Sequence, residues 1–475
     1  MYQKTFASVV ALCAGALALP QIAQAQAPVA PAPAAPAAPA APAAPTSNAM
    51  TTPAMGGTIT ADPNPYSLDL GPWLGKTYVT GELTGLGLVQ NHPVPSTRGI
   101  NPPTLSNGFS GNSSGEADIS NGMVQIQKTD GMLQYYLDAG IYSLPVVGVP
   151  YIDAAHANSA LFGPLPIAYA KWAPTDTFSI EGGKLPTLIG QEGTFTFQNL
   201  NIERGLLWNV ENLINRGVQA NYTWGPLAFA LSWNDGYYTD RFQYLTGQVV
   251  WTVDSNNTIV LAGGGQLSKF THLNPGPYTI GNLALVNTQN QSSFIATSNQ
   301  AQVDLSWTYT NGPWVINPYV QYTHSPPVTA IGLFGAGAGA PFFVASGETY
   351  GASLLVGYTF DPSTTLMGMS LGGWSLPARI EWIGSRGASA TNIGGVNIPD
   401  AANLLGYGAN SKAWTFTISP TYQYKIFFAR AEASLVKASD VAQGSTSLGT
   451  FGAGFGYTGN SSIQVRGLLE AGIVF

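Results

Sequence analysis

The sequence predicts an all-β chain closed into an antiparallel transmembrane β-barrel of about 16 strands, within bounds of roughly 14–18. Three observations carry this. Only 9% of the 475 residues are charged against 45% hydrophobic and 11% aromatic, whereas an ordinary soluble domain carries about 25% charged residues. Apolar and polar residues alternate in short runs separated by Gly, Asn, Asp and Pro clusters. Helical periodicity over more than three turns is hard to find, and the chain ends on an alternating strand whose last residue is Phe475.

The first segment expected is a signal peptide over residues 1–25. Lys4 supplies a positive start, Phe6 to Leu19 an apolar run, and Ala23-Gln24-Ala25 a small-residue cleavage pattern. That run is short of the roughly 20 residues a spanning helix needs. Cys13, the one cysteine, follows Leu12 rather than the small residue that lipid attachment requires, so the expected mature chain has no thiol and no disulfide. Residues 26–65 form an Ala/Pro-rich leader holding ten of the 34 prolines, with a repeated Pro-Ala-Ala unit. Such composition favours disorder or extended polyproline II.

From Tyr66 to Phe475 the texture is uniform and reads as one barrel domain. Ala301, Val303, Leu305, Trp307 and Tyr309 share one face of a strand, and Gln302, Asp304, Ser306 and Thr308 the other. Leu227 to Asn234 and Ile463 to Phe475 alternate in the same way. Trp224-Gly225-Pro226-Leu227 and Asn311-Gly312-Pro313 read as tight turns, hence as antiparallel hairpins. Asn91 to Ser120, Thr271 to Asn299 and Pro326 to Ser346 read as long loops. Such a sheet suits either a soluble sandwich or propeller, apolar face inward, or a membrane barrel. Aromatic residues near strand ends favour the barrel: Trp224 with Trp233, Tyr237 with Tyr238, Trp307 with Tyr309, Trp314 with Tyr319, and Tyr422 with Tyr424. A closed barrel needs no long apolar helix, because it pairs every backbone group.

The terminal strand, with Leu469, Ala471, Ile473 and Phe475 on one face, resembles the last strand of Gram-negative outer-membrane barrels. That resemblance makes Phe475 an assembly signal read by the barrel-assembly machinery. The stretch Gly182 to Tyr237 resembles the β-barrel porin-2 family, the OmpL-like outer-membrane porins. The matching features are Gly183-Lys184, Gly190-Gln191-Glu192, Asn201 to Arg204, and Gly217-Val218 with Tyr222. Arg216 and the Asn234-Asp235-Gly236 ending depart from that pattern. The resemblance implies a channel in the bacterial outer membrane, not an enzyme.

Glu192, Glu203, Glu211, Arg204 and Arg216 place five charges in 25 residues without alternation, against 9% for the chain. The segment reads as a long connection that either narrows the lumen or lies exposed and merely soluble. Asp304, Arg379, Glu381, Arg430, Glu432, Arg466 and Glu470 are the strand charges expected to face the lumen, since Arg or Lys facing lipid near the midplane costs about 2–4 kcal/mol. Arg379 shares a face with Glu381, and Arg430 with Glu432.

Other chemistry is absent from the expectation. Gly71 to Thr77 reads GPWLGKT, one residue short of a phosphate loop and followed by strand-like sequence. The four histidines show no metal spacing, so neither metal nor cofactor is expected. A net charge of −7 excludes nucleic acid as a partner; the expected partners are outer-membrane lipid, small hydrophilic solutes and further copies of the chain. The reading is a passive channel with weak cation preference. Its rivals are a structural or adhesive barrel with a plugged lumen, a lipid-modifying barrel hydrolase bearing a lipid-facing His, and a soluble secreted β-protein.

Overall fold

The computed structural model describes residues 59–60, 65–93, 113–271, 297–331, 341–387, 391–393, 396–398, 407, 410–441, 443–446, 449–452, 454–456 and 459–475. The expected signal segment, nearly all of the leader, His272 and most of the 271–299 connection lie outside them.

The described chain forms a barrel of antiparallel strands. They are β1 Lys76–Gln90, β2 Gly115–Lys128, β3 Leu133–Tyr142, β4 Ile167–Trp172, β5 Phe178–Pro186 and β6 Ile214–Trp224. Next come β7 Leu227–Asn234, β8 Tyr244–Thr252, β9 Asn257–Gln266, β10 Ala301–Asn311 and β11 Trp314–Ser325. The circuit ends with β12 Gly347–Thr359, β13 Trp374–Gly387, β14 Lys412–Ile418 (resuming at Thr421–Tyr424 beyond Pro420), β15 Phe427–Ser439 and β16 Ile463–Val474. Each pairs with its chain neighbour, and β16 closes on β1 from Glu82↔Val474 to Gln90↔Arg466. The sheet counts 18 strands only because β14 is split and a short strand, Tyr66–Asp69, adds to the edge of β1. The barrel is therefore 16-stranded, as the sequence predicts.

Alternation decides the two faces. In β16, Gln464, Arg466, Leu468 and Glu470 are buried inside while Ile463, Val465 and Leu469 are exposed outside. In β10, Gln302, Asp304 and Ser306 point inward, and Leu305 and Trp307 outward. Both predicted tight turns are present, with Trp224 opposite Leu227 and Asn311 opposite Trp314. Gly225 and Gly312 each take φ +56°, the left-handed first position that matches hairpin twist and that a side chain resists. At the same end Asp254 accepts from the Asn256 and Asn257 amides at 2.8 and 2.9 Å. Those bonds hold its carboxyl below the usual range.

The structure corrects several local expectations. Gly115 to Ser120 belongs to β2 rather than to a loop. Within 326–346 a small hairpin pairs Val328–Ile331 with Pro341–Val344. Gly71–Leu74 is one helical turn leading into β1, the reverse of the strand-to-helix order of a phosphate loop. Tyr319 belongs to no outer girdle; its parity turns it into the lumen, where it is 1% exposed.

The closing seam is tight. Gly81 and Phe475 exchange backbone hydrogen bonds at 2.9 and 3.0 Å, and a Cβ on Gly81 would lie 2.7 Å from the Phe475 ring. Gly81→Val should displace that ring at a cost of about 1–3 kcal/mol. The expected outcome is a lower temperature for the heat-induced gel-mobility shift of the refolded barrel than in Phe475→Leu, which keeps the backbone exchange.

Candidate functional site

Apart from the 360–373 connection between β12 and β13, short turns join the strands at one end of the barrel, and longer connections join them at the other. Two long connections fold into the lumen. The first runs from 143 to 166, the second from 187 to 213, and nearly every residue of the second is buried. Asn199 organises its turn, accepting from Gly193 N at 2.6 Å and donating to the carbonyls of Gly193 and Phe195 at 3.0 and 2.8 Å. Phe195 and Trp208 pack with Tyr142 at the end of β3 and with Leu144 and Val146 of the first segment, and Leu206 and Val210 with Val147 and Tyr319. The two segments also meet as a parallel bridge, Val146 beside Arg204.

The second segment crosses from β5–β6 to the far wall, where the charges predicted from sequence converge. Glu432 takes the consecutive N–H groups of Ile202 and Glu203 at 2.6 and 2.9 Å. Glu381 takes those of Leu206 and Leu207, both at 2.8 Å. Arg379 pairs with Glu192 at 2.5 Å and donates to the Glu203 carbonyl at 2.8 Å. Arg466 pairs with Glu203 at 2.8 Å and donates to the carbonyls of Val146 and Val149. Arg430 pairs with Glu470 at 2.6 Å and reaches the Asn199 carbonyl at 3.2 Å, and Thr196 donates to Glu470 at 2.6 Å. Arg204 donates to the Thr194 carbonyl at 2.5 Å and lies 4.9 Å from the Trp208 ring centre. On the β10–β11 wall, Tyr319 and Gln321 donate to Glu211 at 2.7 and 2.8 Å.

Eleven of the twelve charges singled out from sequence thus lie inside the barrel, and Asp304 and Glu211 stand apart from the arginine cluster. Arg216 does not join them. It shares the parity of Val218 and Tyr222 on the outward side of β6, where it pairs with Asp235 at 2.7 Å and Asp240 at 3.1 Å and lies over Tyr238. Burial raises the Asp235 carboxyl, and the Arg216 guanidinium beside it offsets part of that rise.

The inward segment 143–166 was not foreseen, although Leu144-Pro-Val-Val-Gly-Val149 is an apolar run without alternation, which a barrel strand would not show. Glu82 and Asp138 were also missed. Their parity opposite the apolar face is the signal, and both are buried inside, bridged by Gln125 at 2.8 and 3.0 Å. Among the described residues no cluster of three or more His, Cys, Asp or Glu could hold a metal. His92 and His156 lie at the mouth, bonded to the Ile463 carbonyl and to Asp153. His324 has outward parity near the end of β11, and no Ser or Thr hydroxyl hydrogen-bonds its ring among the described residues.

A family model described as "Putative beta-barrel porin-2, OmpL-like" matches residues 76–475. No curated protein matches the chain. Among solved structures, similarity extends to the outer membrane channel DcaP of Acinetobacter baumannii at 10% identity, covering 84% of this chain and 97% of that one, TM-score 0.47. The anion-selective porin from Comamonas acidovorans gives 10% identity, 84% and 99% coverage and TM-score 0.47. OmpT of Vibrio cholerae in its trimer form gives 9%, 84% and 99%, and 0.46.

Removing one partner of a buried ion pair costs about 3–5 kcal/mol, because the other charge stays buried and unpaired. Arg379→Ala should therefore release the inward segment. The expected outcome is rapid tryptic cleavage after Arg204 in folded Arg379→Ala barrel, under conditions where the unaltered barrel stays intact.

Proposed function

The chain belongs to the putative beta-barrel porin-2, OmpL-like, family, and from that premise we propose that it is a passive outer-membrane channel for small hydrophilic solutes, with cations preferred. The observation that carries the channel is the eccentric placement of the inward segment. Against β12–β16, inward side chains such as Ser353, Arg379, Thr417, Glu432 and Arg466 are all buried. On β6–β9, toward the short-turn end, inward Asn221, Thr223, Gln248, Thr252 and Thr258 stay accessible. The open side of the lumen is a weakly polar vestibule, suited to hydrated solutes rather than to a bound cofactor.

The cation preference rests on charge pairing. Arg379, Arg430 and Arg466 each face a carboxylate. Glu82, Asp138, Glu211 and Asp304 have no Lys or Arg within 4.0 Å among the described residues. These four carboxylates have no cationic side chain beside them among the described residues, and where ionised such groups favour cations in a pore.

Export through a cleaved segment at residues 1–25 and self-association are part of the same proposal. Self-association is supported by the outer wall, where β15, β16, β1 and β2 present Ala429, Ala433, Gly467, Gly85 and Ala117 with no aromatic residue toward the long-loop end. A second reading, a barrel with a closed lumen, is favoured by the buried apolar clusters between the two inward segments.

Planar-bilayer recording of the refolded barrel under a salt gradient separates the two. Discrete ohmic steps with a cation-signed reversal potential are expected, moving toward zero in the Glu82→Gln/Asp138→Asn double variant. A folded, heat-modifiable barrel that gives no steps would establish the closed reading instead.

A further inference from the structure

Every charged contact between the inward segment and the β13–β16 wall is compensated on the spot, by guanidinium or by backbone N–H groups. The contact with the β10–β11 wall has a backbone N–H, from Gly190 to Asp304, but no guanidinium among the described residues. There Glu211, from the end of the inward segment, and Asp304 of β10 are 5% and 3% exposed. Neither has a cationic side chain within ion-pair distance among the described residues. Gln321 links them: it is the cross-strand partner of Asp304, and its amide donates to Glu211 Oε1 at 2.8 Å.

The unused atoms are all oxygens of one kind of chemistry. Glu211 Oε2, Asp304 Oδ2 and Gln321 Oε1 are buried without a hydrogen-bond partner. Tyr319 donates to the other Glu211 oxygen at 2.7 Å. Gly190 admits the carboxylate: a Cβ there would lie 2.0 Å from Glu211 Oε2, so only a residue without a side chain lets that oxygen pack against the backbone. Two carboxylates taken out of water need a counter-charge. Carboxylate and amide oxygens without nitrogen or sulfur match a hard cation, calcium above all, whose larger radius and flexible coordination accept irregular oxygen sets.

We infer that Glu211, Asp304 and Gln321 form a calcium site that pins the end of the inward segment to the β10–β11 wall, doing with a diffusible cation what Arg379 and Arg466 do on the opposite side. The site does not depend on whether the lumen conducts.

The test uses the full barrel refolded from inclusion bodies, free of bacterial lipid, with calcium and terbium as probes. Equilibrium dialysis should give one saturable calcium per chain. Terbium should show calcium-displaceable emission sensitised by Tyr319, and Tyr319→Phe should dim that emission while retaining calcium. Glu211→Gln and Asp304→Asn should each weaken binding at least tenfold, with Asp361→Asn, in an exposed turn, unchanged. Absence of saturable calcium, or binding of equal strength in Glu211→Gln and the unaltered barrel, would overturn the site. Should Asp304→Asn fail to fold, Glu211→Gln, which alters only the inward segment, decides. Saturable binding in a barrel without conductance steps would sink the channel reading and uphold the site.

Discussion

Lipid offers the backbone no hydrogen-bond partner, and the rest of the structure follows from that constraint. A sheet with a free edge would leave a column of N–H and C=O groups unpaired in hydrocarbon, each costing several kcal/mol. The chain meets it by pairing β16 with β1 along Glu82 to Gln90 and finishing on the Gly81–Phe475 exchange. Once the sheet is closed, parity admits no compromise. A one-residue slip would turn Arg466 and Glu470 into lipid and Val465 and Leu469 into the lumen.

Closure moves the polar problem inside. The inner wall carries charged and amide side chains that must be satisfied without a soluble surface, and the two inward segments bring unpaired backbone groups of their own. Each solves the other. Glu432 and Glu381 accept pairs of successive N–H groups from a stretch with no regular secondary structure, while Arg379 and Arg430 cover its carbonyls and Arg466 those of the 143–166 segment. Buried ion pairs add little net stability against an apolar replacement, because desolvation consumes most of the Coulomb gain. Their consequence here is positional: the segment can rest against β13–β16 in one register only.

The barrel was legible because its rule is local. Alternation is a period of two, so Ala301 to Thr310 and Ile463 to Phe475 disclose their faces without knowledge of any neighbour, and Gly-Pro pairs disclose their hairpins. The charge-rich 192–216 stretch was legible as a departure from that rule. What each charge meets was not, since Glu203 with Arg466 and Glu192 with Arg379 join positions far apart in sequence. Arg216 shows the limit: composition groups it with Glu211, but strand parity at β6 sends it outward to Asp235. Tyr319 fails in the opposite sense, an aromatic near a strand end whose parity makes it a lumen donor. The 143–166 segment hid because apolar residues in a barrel sequence suggest lipid, and these are covered by another loop.

The buried charges therefore divide into two sets. The wall arginines are consumed in holding the inward segments. The carboxylates left over, Glu82 and Asp138 on one side and Glu211 and Asp304 on the other, are buried without a guanidinium beside them among the described residues. Because the segment leans away from β6–β9, its clamps can be strong without blocking that side. The same asymmetry explains how a chain with so few charges can bury so many of them: they are concentrated where loop meets wall, and the lipid face and the vestibule need almost none.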